Sequence, residues 1–249
     1  MSSRFYPRFG LAFALVMVLA IAWLCPAPEA PAAGREEAAA QNAWPRLEKL
    51  LAEKKLSRGD PLFIRIFKDE DLLEIWMKPK GGDKFIFFKS WPICAWSGAL
   101  GPKTKTGDNQ APEGFYAFGL NQLNPFSQYH LSFNLGYPNA YDRSLGYTGS
   151  HLMVHGRCVS IGCFAMTDPG IEEIYSLAQA ALTTGQPFIR VHSFPFRLTD
   201  KKLKAHSQNS WLSFWLMLRP VYDHFEKHRL PPDVAMDNGR YRISGTAAR

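Results

Sequence analysis

The sequence predicts an α+β protein, mainly β, built around one domain. Three observations lead there. Short runs that alternate or are rich in Ile and Phe crowd the first half and are bounded by turn formers. Helical patterns fall before that region and after residue 168, so strands precede a helix, a strand and terminal helices. The chain has 249 residues, 46% hydrophobic and 20% charged, enough for a sizeable core. No repeat of solenoid period is visible.

The elements follow in order. Arg4 and Arg8 precede an uninterrupted apolar run, Leu11 to Leu24, short for a membrane span and suited to a signal peptide. Ala30-Pro31-Ala32 offers a cleavage site, so residues 1–32 read as a signal peptide or an N-terminal anchor. Cys25 has the bulky Leu24 before it, which argues against lipid attachment. Residues 33–43, rich in Ala and Glu without large apolar side chains, read as a linker. A helical stretch is expected over 44–61, with Leu47, Leu50, Leu51 and Leu56 on one side and a stop at Gly59-Asp60-Pro61.

Three strands are then predicted as a meander, Leu62 to Lys68, Leu72 to Met77 and Phe85 to Trp91, with a fourth at Ile93 to Ser97. Phe115 to Phe118 is strand-like. Asn121 to Asp142 reads as a long polar and aromatic loop suited to binding. His151 to His155 is the next strand. Asp168 as N-cap and Pro169 as first residue open a helix whose apolar face runs from Ile171 to Leu182. Phe188 to Phe194 is a strand, and Ser210 to Leu218 and Val221 to His228 are helical around Pro220. The tail after Pro231-Pro232 has little pattern beyond Tyr241-Arg242-Ile243.

The net charge is +7, which suits an anionic surrounding, whether cell-wall polymer or membrane, as well as plain solubility. No basic stripe interleaved with aromatics occurs, so a nucleic-acid partner is not expected. The cysteines, Cys25, Cys94, Cys158 and Cys163, are too few for a disulfide scaffold.

The chemistry concentrates between Gly149 and Asp168. His155 closes a strand, Gly156 follows, and Gly162-Cys163 comes shortly after. A thiol becomes a useful nucleophile when an imidazole takes its proton and amide groups stabilise charge. The Gly156 carbonyl is placed to orient the imidazole, and the amides of Gly162 and Cys163 to form an oxyanion hole. The rival is a zinc site from His151, His155, Cys158 and Cys163. On an extended strand His151 and His155 would stand about 13 Å apart, too far to share an ion. No metal or other cofactor is expected.

The run His155-Gly156-Arg157-Cys158-Val159-Ser160-Ile161-Gly162-Cys163-Phe164-Ala165-Met166-Thr167-Asp168, followed by Gly170-Ile171-Glu172-Glu173-Ile174-Tyr175, resembles the signature of the YkuD-type L,D-transpeptidases, in its YafK-type branch. Leu100-Gly101-Pro102-Lys103, Gly107-Asp108, Ala111 to Tyr116, Pro138 to Arg143 and Pro195-Phe196-Arg197 extend the likeness over roughly 62–232. The resemblance implies a YkuD-like mixed sandwich or barrel-like sheet, with one helix after the nucleophile and C-terminal helices packed on it. It places the catalytic domain at 62–197 and a helical extension with a tail at 198–249.

The same resemblance implies Cys163 as nucleophile, His155 as its base and acid, and a thioester formed with the diaminopimelate of a peptidoglycan stem peptide. Ala165 stands where most of that family carries Arg. This favours hydrolysis of the amide joining diaminopimelate to an attached lipoprotein, in the periplasm. Transpeptidation that forms crosslinks or attaches lipoprotein is the alternative within the class, and a non-catalytic wall-binding module the alternative outside it. Asp142 and Arg143 would bind the zwitterionic end of diaminopimelate. Lys103, with Lys105, would meet stem-peptide carboxylates. Tyr147 would line the pocket, and Ser160 would brace a turn or reach the site. With Cys163 free, Cys94 and Cys158 form the expected disulfide. Membrane contact would come only through residues 11–24.

Overall fold

The computed structural model describes residues 33–246. The readings for residues 1–32 lie outside them. Among the described residues no helix is long and apolar enough to cross a membrane.

The main sheet has five strands: β1 (Leu62–Phe67), β2 (Leu72–Met77), β3 (Ile86–Pro92), β4 (Gly114–Phe118) and β9 (Ile189–Phe194), in the order β3-β2-β1-β9-β4. β1 pairs parallel with β9, and the other pairs are antiparallel. Every residue of β1 is buried, because strand side chains alternate between two faces and both are covered. Leu62, Ile64 and Ile66 join the core formed with α1 (Ala33–Glu53) and α3 (Asp168–Thr183). Phe63 and Phe67 face the other way, toward α5 (Leu212–His228).

A second sheet of four short strands, β5 (Leu123–Asn124), β6 (Ser132–Asn134), β7 (Met153–His155) and β8 (Phe164–Ala165), runs in that order and carries the site. Phe133, Val154 and Phe164 point into the α1–α3 core, which leaves the opposite face of this sheet for other work. Between β6 and β7 lies α2 (Ala140–Ser144), and α4 (Asp200–Ala205) precedes α5. β10 (Pro232–Asp237) and β11 (Arg240–Thr246) close the chain as a hairpin. The α+β, mainly β class stands.

Several boundaries differ from expectation. The first helix begins at Ala33, so residues 33–43 are helical and not a linker, and it ends at Glu53. Ala39 and Ala43 are buried against α3, and small side chains there allow close approach of the two helices. Ile93 to Ser97 is no strand and reduces to a single bridge, Ala95 to Ala165. Thr167, not Asp168, caps α3, its side chain accepting from the Gly170 N–H. The two C-terminal helical segments are one helix with Pro220 inside it. The tail forms the hairpin, turned by Asn238 and Gly239 at φ +47° and +70°.

A buried ion pair joins the parts. Lys68 Nζ donates to Glu113 Oε1 at 2.9 Å and to the carbonyls of Ala99, Gly101 and Ala111. Glu113 also accepts from the Gly101 N–H and from Trp215 Nε1 of α5. Burial lowers the pKa of Lys68, and Glu113 opposes that shift. With each group so fully hydrogen-bonded, the charges are held inside the fold.

Candidate active site

Cys163 and His155 line one cavity of about 700 Å³. His155 ends β7, on the face of the second sheet away from the core, and is 3% exposed. Its Nδ1–H donates to the Gly156 carbonyl at 2.6 Å, which leaves Nε2 as the lone-pair nitrogen. The Tyr129 ring packs on the imidazole at 4.8 Å between centroids. Gly156 is required by close approach: a Cβ there would lie 2.5 Å from Asp168 Oδ1 and 3.0 Å from the Tyr129 carbonyl. Its N–H donates to that same carbonyl.

Cys163 is the free cysteine among the described residues. Its Sγ accepts from the Met153 N–H at 3.4 Å. Burial pushes the thiol up, while the Met153 amide and the Lys103 charge pull it down. Burial also lowers His155, against the Gly156 hydrogen bond. Both burial effects favour the uncharged forms, thiol and imidazole. No hydrogen bond joins Sγ to His155 among the described residues, although both face the same space.

Cys94 and Cys158 are bonded, with Cα atoms 5.3 Å apart. The bond ties the loop between His155 and Cys163 to the segment after β3. Arg157 and Cys158 take φ of +65° and +40°, and the Arg157 N–H donates to Asp168 Oδ1, so the loop is pinned at both shoulders. With Cys158 in a disulfide, the four zinc ligands of the sequence do not assemble. His151 does not extend the strand as expected: it sits at φ +56° before β7.

The other expected residues divide. Lys103 lines the cavity, but its Nζ is held by Asp108 Oδ1 and the Lys105 carbonyl. Ser160 lines the cavity and braces the turn, its Oγ donating to the Cys163 carbonyl and accepting from the Gly162 N–H. That second bond engages the Gly162 amide, so Gly162 does not offer the oxyanion donor expected of it. Asp142 is a correction: it is 1% exposed, closes the capping box of α2 with Asn139, and is outside the cavity wall. Arg143 turns to the Pro138 carbonyl and Tyr147 also stays outside that wall. Burying a carboxylate explains the placement of Asn139 and Tyr116 around Asp142.

The Met153 amide escaped sequence reasoning, because a backbone donor carries no residue signature. So did the apolar rim, where Phe126, Val159 and Ile161 are 65%, 54% and 80% exposed beside the cavity.

Over 191 residues the chain is 48% identical to the Escherichia coli K12 protein named "Putative L,D-transpeptidase YafK", covering 77% of each chain. The chain belongs to the YafK-type L,D-transpeptidase family. The protein of the same name in Escherichia coli O157:H7 matches equally. No family model matches. Among solved structures, the helical cell shape determining protein Pgp2 of Campylobacter jejuni aligns at 17% identity and TM-score 0.44, over 77% of this chain and 80% of that one. Bd1075 of Bdellovibrio bacteriovorus aligns at 19% identity and TM-score 0.37, over 70% and 61%.

Proposed function

We propose that the protein is an exported cysteine enzyme that hydrolyses the amide between diaminopimelate of a peptidoglycan stem peptide and a covalently attached protein. The observation that carries the reading is the His155 imidazole, fixed through Nδ1 on the Gly156 carbonyl, in one cavity with a free Cys163. In the first half-reaction His155 Nε2 takes the thiol proton as Sγ attacks the carbonyl carbon. The Met153 N–H stabilises charge on sulfur as it develops. His155 then gives the proton to the departing amine, leaving a thioester. Water resolves it.

Two features favour hydrolysis and export. Ala165 is the β8 residue paired with His155, and it is fully buried, so no guanidinium stands beside the base. The Cys94–Cys158 disulfide suits an oxidising compartment such as the periplasm, as does the Leu11 to Leu24 run. Sacculi carrying bound lipoprotein provide the test. The protein should release the lipoprotein and Cys163→Ala should not. New diaminopimelate–diaminopimelate crosslinks would instead make it a transpeptidase, and neither product would leave a wall-binding module.

A further inference from the structure

The floor of the cavity holds a hydroxyl that the chemistry above does not use. Ser132 on β6 is the antiparallel partner of His155 on β7. Paired residues on neighbouring strands project to the same face, so the Ser132 side chain stands beside the imidazole. Ser132 lines the cavity and is 1% exposed. Its Oγ has no hydrogen-bond partner within the protein. Of the buried side-chain atoms in that position among the described residues, those of Arg65, Glu70 and His224 lie outside this cavity; only Ser132 faces it. A hydroxyl so deeply buried needs a polar partner, and the space it faces is that of the reaction.

We propose that Ser132 holds the water that resolves the Cys163 thioester, presenting it to His155. The inference rests on the thioester reading of Cys163 and adds to it the origin of the hydrolytic outcome. Strand order puts His155 between the two groups, with Ser132 on β6 to one side and Cys163, immediately before β8, to the other. The base thus serves the thiol first and the water second. A hydroxyl this deep suits a partner no larger than water, whereas Val159 and Ile161 stand exposed at the rim, where a larger acceptor would meet the cavity first. In the step itself the water oxygen attacks the thioester carbonyl and one water proton passes to His155 Nε2. The C–S bond breaks, and the departing sulfur recovers that proton from His155. The products are a carboxylic acid and the free thiol. Ser132 neither gains nor loses a proton.

Acylation and deacylation separate with p-nitrophenyl acetate, whose use does not depend on the natural substrate. The burst reports thioester formation at Cys163 and the steady state its hydrolysis. In Ser132→Ala the burst rate should stay within about twofold and the steady-state rate fall about tenfold, with acetyl-enzyme accumulating in intact-mass spectra. Ser132→Thr, which keeps the hydroxyl, should recover most of the loss. Thermal stability of Ser132→Ala should not fall, because an unpaired buried hydroxyl is removed. Equal slowing of burst and steady state, or no change in either, would overturn the proposal. A wild-type protein without a Cys163-dependent burst would overturn the thioester reading and this proposal together.

Discussion

Burial pushes Cys163 and His155 each toward the neutral form, and that has a measurable result. The alkylation rate of Cys163 by iodoacetamide should still be rising through about pH 9, since a desolvated thiol ionises late. A midpoint below about pH 7 would instead indicate a resting thiolate–imidazolium pair. Two carboxylates respond to pH with opposite signs. For Asp108, burial is outweighed by Lys103 and the amides of Lys105, Thr104 and Gln110, which hold it down to about 2. Its folded value lies below the unfolded one, so its stabilisation is present above about pH 4 and lost as pH falls toward 2. Asp142 is pushed up to about 6 by burial, against the Asn139, Tyr116 and Arg143 contributions. The native state there binds the proton more tightly, so stability is present below about pH 4 and lost as pH rises through 6. Asp142→Asn keeps an acceptor for the Asn139 N–H and should remove that loss, raising stability near neutral pH by on the order of 2 kcal/mol. Thermal denaturation between acid and neutral pH reads both. At this scale the sequence showed Cys163, His155 and Gly156, whose side-chain or backbone chemistry goes with residue type. It misplaced Asp142 and Tyr147, because an Asp-Arg pair looks the same on a pocket wall as inside a capping box.

The same contrast holds for elements. Residues 33–43 lack large apolar side chains, yet Ala and Glu are strong helix formers, and the partner helix supplies the apolar surface that a linker would not find. The Asn238-Gly239 pair is a hairpin signal, but the short, polar strands on either side of it carry too little apolar pattern to read as strands. By contrast, β1 to β3 and β9 were legible, since their runs rich in Ile, Phe and Leu or Val lie between clear turn formers. Helix α1 reaches the site through Arg35, whose Nη1 donates to the carbonyls of Ser127 and His130 and so braces the loop bearing Tyr129. Arg35→Ala should therefore slow turnover about threefold to tenfold with α1 still docked. Arg46→Ala, which breaks the contact of α1 with Glu173 instead, should slow it little. Equal losses would mean that helix docking alone matters. The Cys94–Cys158 bond closes a loop of sequence separation 64. Cys94→Ser with Cys158→Ser should cost about 2–4 kcal/mol in chemical denaturation, and reduction of the wild-type protein the same.

Across the whole molecule, the C-terminal extension is no detachable appendage. Trp215 of α5 donates to Glu113, and Phe196, Leu198, Phe214 and Leu218 share a core with Phe67 and Phe194 of the main sheet. Tyr241 of β11 accepts from Asn139 and stacks on Tyr141, so the last hairpin steadies α2. Lys68→Met leaves Glu113 buried without its cation, and should cost about 3–5 kcal/mol by urea unfolding, well beyond a surface ion pair.

The link from Cys94 to Cys158 also sets the covalent topology of the enzyme. The base lies inside the ring it closes and the nucleophile lies outside it. A protease that cut once anywhere inside that ring would leave a single molecule with both reacting groups still on it. Only a reductant would then part the fragments, carrying the Cys94 side away from the His155 and Cys163 side when the cut falls before His155.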